Sequence, residues 1–308
     1  MVVVTVLLFT ELKHTFTELA QRMKNDEMIT LAKFLAISGI ILPMLPNENL
    51  IPDINLTPYT VWLATVVVSG ISYLSYLLRR YVFHESGILV SGIIGGLYSS
   101  TATISVLARK SRKAPAQEAP EYAAAMLLAV SMMFLRFLIL IGIFSKAILA
   151  EIYPYLLIMS FVTAGVAWYL HRKRKPIPVT GEEAEEEDSS NPLEFKVALI
   201  FAVLFVIFTI VTHYTLIYTG TGGLNVLSFI AGLSDITPFI LNLLQGSGVA
   251  VVVVTACCMQ AIVSNIAVNM CYALFFAGGR SPLRRWVLRG FGGVIAVNVC
   301  MLLFFYLL

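Results

Sequence analysis

Apolar residues come in long blocks along this chain, and polar residues gather between the blocks. About 20 apolar residues in a row is what a helix needs to cross a hydrocarbon core roughly 30 Å thick. Blocks of about that length predict seven crossing helices: Ile29 to Pro46, Pro58 to Leu78, Tyr122 to Phe144, Ala147 to Leu170, Glu194 to Tyr218, Val249 to Ala277 and Leu283 to Leu308. Two further blocks, Gly87 to Arg109 and Gly222 to Gln245, are apolar but interrupted. The opening run Met1 to Phe9 is too short to cross alone, and positive charge follows it instead of preceding it, unlike a cleaved signal peptide. It reads as the inner end of a helix that begins outside this chain.

Composition agrees with that pattern. Hydrophobic residues make up 58% of the chain and charged residues 13%, with a mean hydropathy of +0.86; a soluble domain carries roughly 25% charged residues. The chain is therefore expected to be an all-α, multi-pass integral membrane protein with the lipid bilayer as its first partner. The net charge of +3 is small and the basic residues sit in short clusters, which excludes a nucleic-acid footprint. Cys257, Cys258, Cys271 and Cys300 all lie in apolar blocks without metal-ligand spacing, so neither a disulfide framework nor a zinc site is expected.

Charge also threads the chain. Cytoplasmic loops collect Lys and Arg, and the basic clusters here are Arg79 with Arg80, then Arg109 to Lys113, Arg172 to Lys175, and Arg280 to Arg285. If all nine blocks crossed, the first two clusters would face opposite sides. If the two interrupted blocks dip in and return, all four clusters fall on the cytoplasmic face and Lys146 is left outside. Seven crossings with two re-entrant segments, amino end inside and carboxyl end outside, follow from this.

The two interrupted blocks resemble each other. Gly96 to Thr101 aligns with Gly232 to Thr237 at a shift of about 136, and the flanking spans match at nearly that shift. The expected architecture is two inverted repeats, each of three transmembrane helices plus a re-entrant or broken helix, a recurrent transporter design. Residues 58–171 form repeat one and 194–308 repeat two. Residues 172–193, with the acidic run Glu182 to Asp188, form a cytoplasmic linker, and 1–57 hold the first transmembrane helix and what precedes it.

Chemistry concentrates at the interruptions. Gly95 and Gly96 act as a hinge before Ser99, Ser100 and Thr101, which can cap a new helix start; Gly232 plays the same part before the cap Asp235, with Thr237 beside it and Pro238 suited to the first turn. Each start would aim free N–H groups and about half a positive charge at the protein centre. Unsatisfied backbone survives in lipid only where it lines a cavity or packs in protein, so the plain alternative is a pair of kinked, tightly packed helices. Arg136 lies within an apolar span, where a charge costs about 2.5 kcal/mol or more, and either faces a polar interior or snorkels to the interface. Gln260, Ser264, Asn265 and Asn269 share helical spacing on the matching span, a pattern that also serves to hydrogen-bond neighbouring helices. With Asp235 in reach of Arg136 or a bound cation, these residues are the candidate solute path. No cofactor is expected, and a metal role is left open. His14, His84, His171 and His213 sit near helix ends with no grouped nucleophile, base and acid, so no enzyme is expected.

The stretch Gly95 to Thr103 with Leu107-Ala108-Arg109, the preceding Pro58-Tyr59 and Trp62, the segment Met133 to Arg136, and Gly232 to Asp235 resemble DUF4010. This membrane domain follows an MgtC/SapB-type domain in many bacterial proteins. The resemblance implies a bacterial inner-membrane location, and under it Met1 to Met28 is similar to the tail of an MgtC-like part. The function expected is a transporter or channel for a small ion or charged solute. The rival is a non-conducting membrane regulator or scaffold, and a solvated cavity at the two motifs separates the two. Two helix starts and Arg136 against Asp235 favour an anion or zwitterion, although exposed carbonyls suit a cation. Small residues on several spans suggest a homo-oligomer, with a dimer as the guess.

Overall fold

The computed structural model describes residues 25–51, 54, 56–78, 87–174, 195–245, 249–279 and 281–307. The opening run, the Arg79 and Arg80 cluster and the acidic linker lie outside the described residues. Nine helices are described: α1 Asn25–Met44, α2 Pro58–Leu77, α3 Ile88–Lys110, α4 Ala119–Phe144, α5 Lys146–His171, α6 Phe195–Ala231, α7 Ile236–Leu244, α8 Val251–Ala277 and α9 Leu283–Leu307. No strand occurs among the described residues, and the fold is all-helical.

Local chemistry sets the helix ends. Thr57 and Thr60 form a reciprocal capping box at α2, the Thr57 hydroxyl accepting the Thr60 N–H at 3.1 Å while Pro58 occupies the first turn. Between α4 and α5 a single extended residue, Ser145, ends one helix and caps the next by accepting the Ile148 N–H. So short a link forces an antiparallel pair. Midway along it the Ser131 hydroxyl donates to the Ser160 carbonyl at 2.9 Å, and the Ser160 hydroxyl donates back to the Ser131 carbonyl at 3.2 Å. A second antiparallel pair, α8 and α9, is joined past Gly278, the residue that ends α8 with a positive φ of 86°.

The two interrupted blocks double back. In α3 the backbone leaves helical geometry at Ser99 (φ −159°, ψ 109°). A Cβ on Gly95 would lie 2.5 Å from the Thr103 hydroxyl oxygen, whereas residues eight apart in one continuous helix sit about 12 Å apart. Residues 88–98 and 100–110 are thus the arms of a helical hairpin. The first arm runs parallel to α4, with Gly92 pressed on the Ala125 backbone and Gly96 on that of Ala129.

Helix α6 reverses at Gly220, whose φ of 64° is accessible to glycine without strain. Leu204 and Leu233 line one cavity, although an unbroken helix would separate them by about 44 Å. Residues 221–231 then run parallel to α8, with the Cys257 thiol 3.5 Å from the Asn225 side-chain oxygen and Gly232 against Ala261 and Ser264. They end in a turn, and α7 leads back toward the start of α8.

Among the described residues, seven helices are long and apolar enough to cross a membrane: α2, α3, α4, α5, residues 198–231 of α6, α8 and α9. This set includes α3, which the sequence expectation held to be re-entrant. The reason is that a length criterion does not register the reversals at Ser99 and Gly220. Helices α4 and α8 hold the core, with Ala123, Met126, Phe134, Cys257, Ile262 and Asn269 wholly buried. Large apolar side chains cover the outside, Phe161 being 75% exposed and Phe275 74%. Water would oppose such a surface, and lipid accepts it.

The glycine contacts make a direct test. Gly96→Val drives a side chain into the Ala129 backbone and is expected to cost about 1–3 kcal/mol, read as a lower melting temperature in detergent. Gly70→Ala in α2, where a Cβ meets nothing within 4 Å, is expected to be neutral or slightly stabilising.

Candidate solute path at the two helix breaks

Both breaks are built alike from the residue upward. Ser99 is extended, and its hydroxyl accepts the Ala102 N–H at 3.3 Å, so it caps the second arm of the α3 hairpin. Asp235 is extended too (φ −78°, ψ 111°), and its Oδ1 accepts the Thr237 N–H at 3.0 Å, capping α7. A carboxylate at a helix start also meets the positive end of the dipole. Gly95, Gly96 and Gly232, expected as hinges, are contact points: Gly95 lets the two arms of the α3 hairpin meet at Thr103, Gly96 and Gly232 let the hairpins press against α4 and α8, and the backbone changes course a few residues later.

The carbonyls freed at the ends of the leading arms also find partners. Arg136 of α4 donates from Nη1 to the Tyr98 carbonyl at 2.7 Å, the last carbonyl before the first break. Asn265 of α8 donates from Nδ2 to the Gly232 and Ser234 carbonyls at 3.3 and 3.4 Å, serving the second break. A repeat shift of 133 sets Arg136 opposite Asn269 in the sequence, yet Asn265 does the matching work, one turn earlier on its helix. The longer arginine side chain spans the extra turn of about 5.4 Å.

One ladder of side chains ties the two breaks together. The Thr101 hydroxyl donates to Asn269 Oδ1 at 2.9 Å, and Asn269 Nδ2 donates to Asn265 Oδ1 at 3.1 Å, which closes the chain to Gly232 and Ser234. Asn269 is fully buried and Asn265 nearly so. The hairpins reach this ladder from opposite ends of α8. At its carboxyl end, Arg109 of the α3 hairpin stacks over Phe276 at 4.5 Å and Arg112 donates to the Phe275 carbonyl at 3.2 Å. Toward its amino end lies the Asn225 and Cys257 contact of the other.

A cavity of about 390 Å³ opens between the breaks. Ser99, Ser100, Thr101, Asp235, Thr237, Arg136 and Asn265, all expected on the path, line it, and Asn269 stands behind Thr101 and Asn265. Gln260 and Ser264 do not: Gln260 bonds the Tyr306 hydroxyl on α9, and Ser264 donates to the Phe229 carbonyl. Ser69 and Ser72 of α2, Tyr98 and Tyr272 line it without having been singled out. The first two belong to a hydroxyl stripe, Thr65, Ser69, Ser72 and Ser75, buried at helical spacing in an apolar span; that stripe was a usable signal. Among the described residues lining the cavity, Arg136 and Asp235 are the charged ones. They do not form a direct ion pair, but Asp235 is near enough for its charge to act on the guanidinium. Among the described residues no group of His, Cys, Asp and Glu is arranged to hold a metal ion.

Residues 66–277 match the family model described as "Domain of unknown function (DUF4010)". A protein of Aquifex aeolicus (strain VF5), described as "Uncharacterized protein", is 27% identical over 201 residues, covering 61% of this chain and 82% of that relative. No solved structure matches the chain.

The ladder predicts a stability order. Asn269→Leu strands the Thr101 hydroxyl and the Asn265 carbonyl oxygen together, and a buried unsatisfied group costs about 1–3 kcal/mol. Thermal unfolding in detergent is expected to show a larger loss for Asn269→Leu than for Thr101→Val, which removes one end of the ladder.

Proposed function

Since the chain belongs to the DUF4010 family, whose description assigns no activity, we propose its role from the cavity: a membrane transporter or channel for a small charged solute, with its site between the two helix breaks. One observation carries this reading. Both capped helix starts, the Arg136 guanidinium and the Asp235 carboxylate converge on a single cavity of about 390 Å³. A non-conducting scaffold has no need of such a space, and dry packing at the breaks would have favoured that rival.

The reading includes an inverted pairing of two repeats. Its support is that the hairpins reach the ladder from opposite ends of α8. Within the pairing, each break is capped by the central helix of its own half, Tyr98 by Arg136 and Gly232 by Asn265. Under it α3 is re-entrant, and the bacterial inner membrane is the proposed location. An MgtC/SapB-type partner, implied by the family resemblance, would act on the path from the cytoplasmic side.

Two experiments test these statements. In a variant freed of its native cysteines, Gly87→Cys and Lys110→Cys are expected to react with a membrane-impermeant thiol reagent from the same side, since both mark the open end of the α3 hairpin; labelling from opposite sides overturns the re-entrant reading. In liposomes, purified protein is expected to carry at least one of sodium, potassium, chloride, phosphate or L-α-amino acids faster than empty vesicles. Asp235→Asn and Arg136→Ala should each slow that flux by about tenfold or more, the equivalent of roughly 1.4 kcal/mol. Folded protein that moves none of these solutes defeats the transport reading.

A further inference from the structure

The cavity offers one fixed charge of each sign, and neither is consumed by the other. Arg136 spends Nη1 on the Tyr98 carbonyl, and its Nε is buried without a protein partner. Asp235 spends Oδ1 on the Thr237 amide and is otherwise exposed to the cavity. Beside the hydroxyls at the breaks and on α2, the cavity has an apolar side, with Met133 and Phe137 from α4, Ile200, Phe201 and Leu204 from α6 and Val268 from α8. A simple anion drawn to Arg136 meets the Asp235 charge, and a simple cation drawn to Asp235 meets the guanidinium. Either also brings a net charge into a low-dielectric space, which is unfavourable. A solute with both charges and no net charge satisfies both groups at once.

Resting on the transport reading above, we propose that the site takes a small zwitterion of the α-amino acid class, its carboxylate on Arg136 and its ammonium on Asp235, with an apolar side chain against the α6 wall of Ile200, Phe201 and Leu204. A guanidinium matches a carboxylate through paired N–H donors. A cavity of about 390 Å³ is at the lower end of the size range of small-molecule sites, roughly 300–1,000 Å³.

Binding to the full chain in detergent, followed by calorimetry, separates the charge requirements without depending on flux. The probes are the L-α-amino acids, with L-leucine compared to 4-methylpentanoate, which lacks the amino group, and 3-methylbutylamine, which lacks the carboxylate. L-leucine or another amino acid is expected to bind at least about tenfold tighter than either of its halves. Asp235→Asn should erase the preference over the carboxylate, and Arg136→Lys, chosen because Arg136→Ala removes a backbone cap, should weaken the preference over the amine. A carboxylate or amine that binds as tightly as the amino acid overturns the proposal, as does failure of every amino acid to bind folded protein. Transport survives that failure if an inorganic ion still crosses in liposomes; conversely, a retained amino-acid preference with no flux leaves the zwitterion site standing and removes transport.

Discussion

Everything in this fold answers to the rule that no peptide group can be left unpaired in hydrocarbon. Two helices stop partway, and each stop frees N–H groups on one side and carbonyls on the other. The chain meets that demand from within. Ser99 and Asp235 take the donors, Arg136 and Asn265 take the acceptors, and the Thr101, Asn269 and Asn265 ladder binds the two repairs to each other. The hairpin tips hold their places because these bonds have no substitute in lipid.

The charges in the cavity follow from the same repairs. A cation is favoured at a helix carboxyl end and an anion at an amino end, and Arg136 and Asp235 occupy those positions on different hairpins. Each is stabilised by the dipole it faces, which for Arg136 lowers the penalty of a charge within an apolar span. Their opposite signs keep the described cavity lining near neutrality. The outer face, by contrast, carries large exposed apolar side chains fit for lipid.

Much of this was legible in the sequence because it is local. Hydrophobic runs fixed the spans, and the cap residues Ser99 and Asp235 stand where the 136-residue shift puts them. What was hidden depends on neighbours. Helical spacing gathered Gln260, Ser264, Asn265 and Asn269 on one side of α8, but successive residues diverge by about 100° around a helix, and that angle sends Ser264 to Phe229 while Asn265 meets the second break. Gln260 lies a turn away, opposite Tyr306 of α9. The boundary between the blocks ending at Tyr218 and starting at Gly222 was legible, and the reversal falls within it at Gly220; which glycine turns the chain was not, since 222 and 223 stay helical.

The comparison of the two breaks argues that Arg136 is more than a cap. At the second break a neutral amide, Asn265, satisfies two free carbonyls. At the first, a guanidinium with five N–H donors donates to the Tyr98 carbonyl at 2.7 Å, and its buried Nε meets no protein acceptor. A side chain used only to close that carbonyl would bring surplus donors and a full charge into the membrane interior, where each unmet donor costs about 1–3 kcal/mol. An asparagine would do the same job without the charge. The surplus faces a space with room for a solute and an unpaired carboxylate at its far side. What distinguishes the first break from the second is therefore a charged group with a buried donor, Nε of Arg136, that no protein acceptor meets.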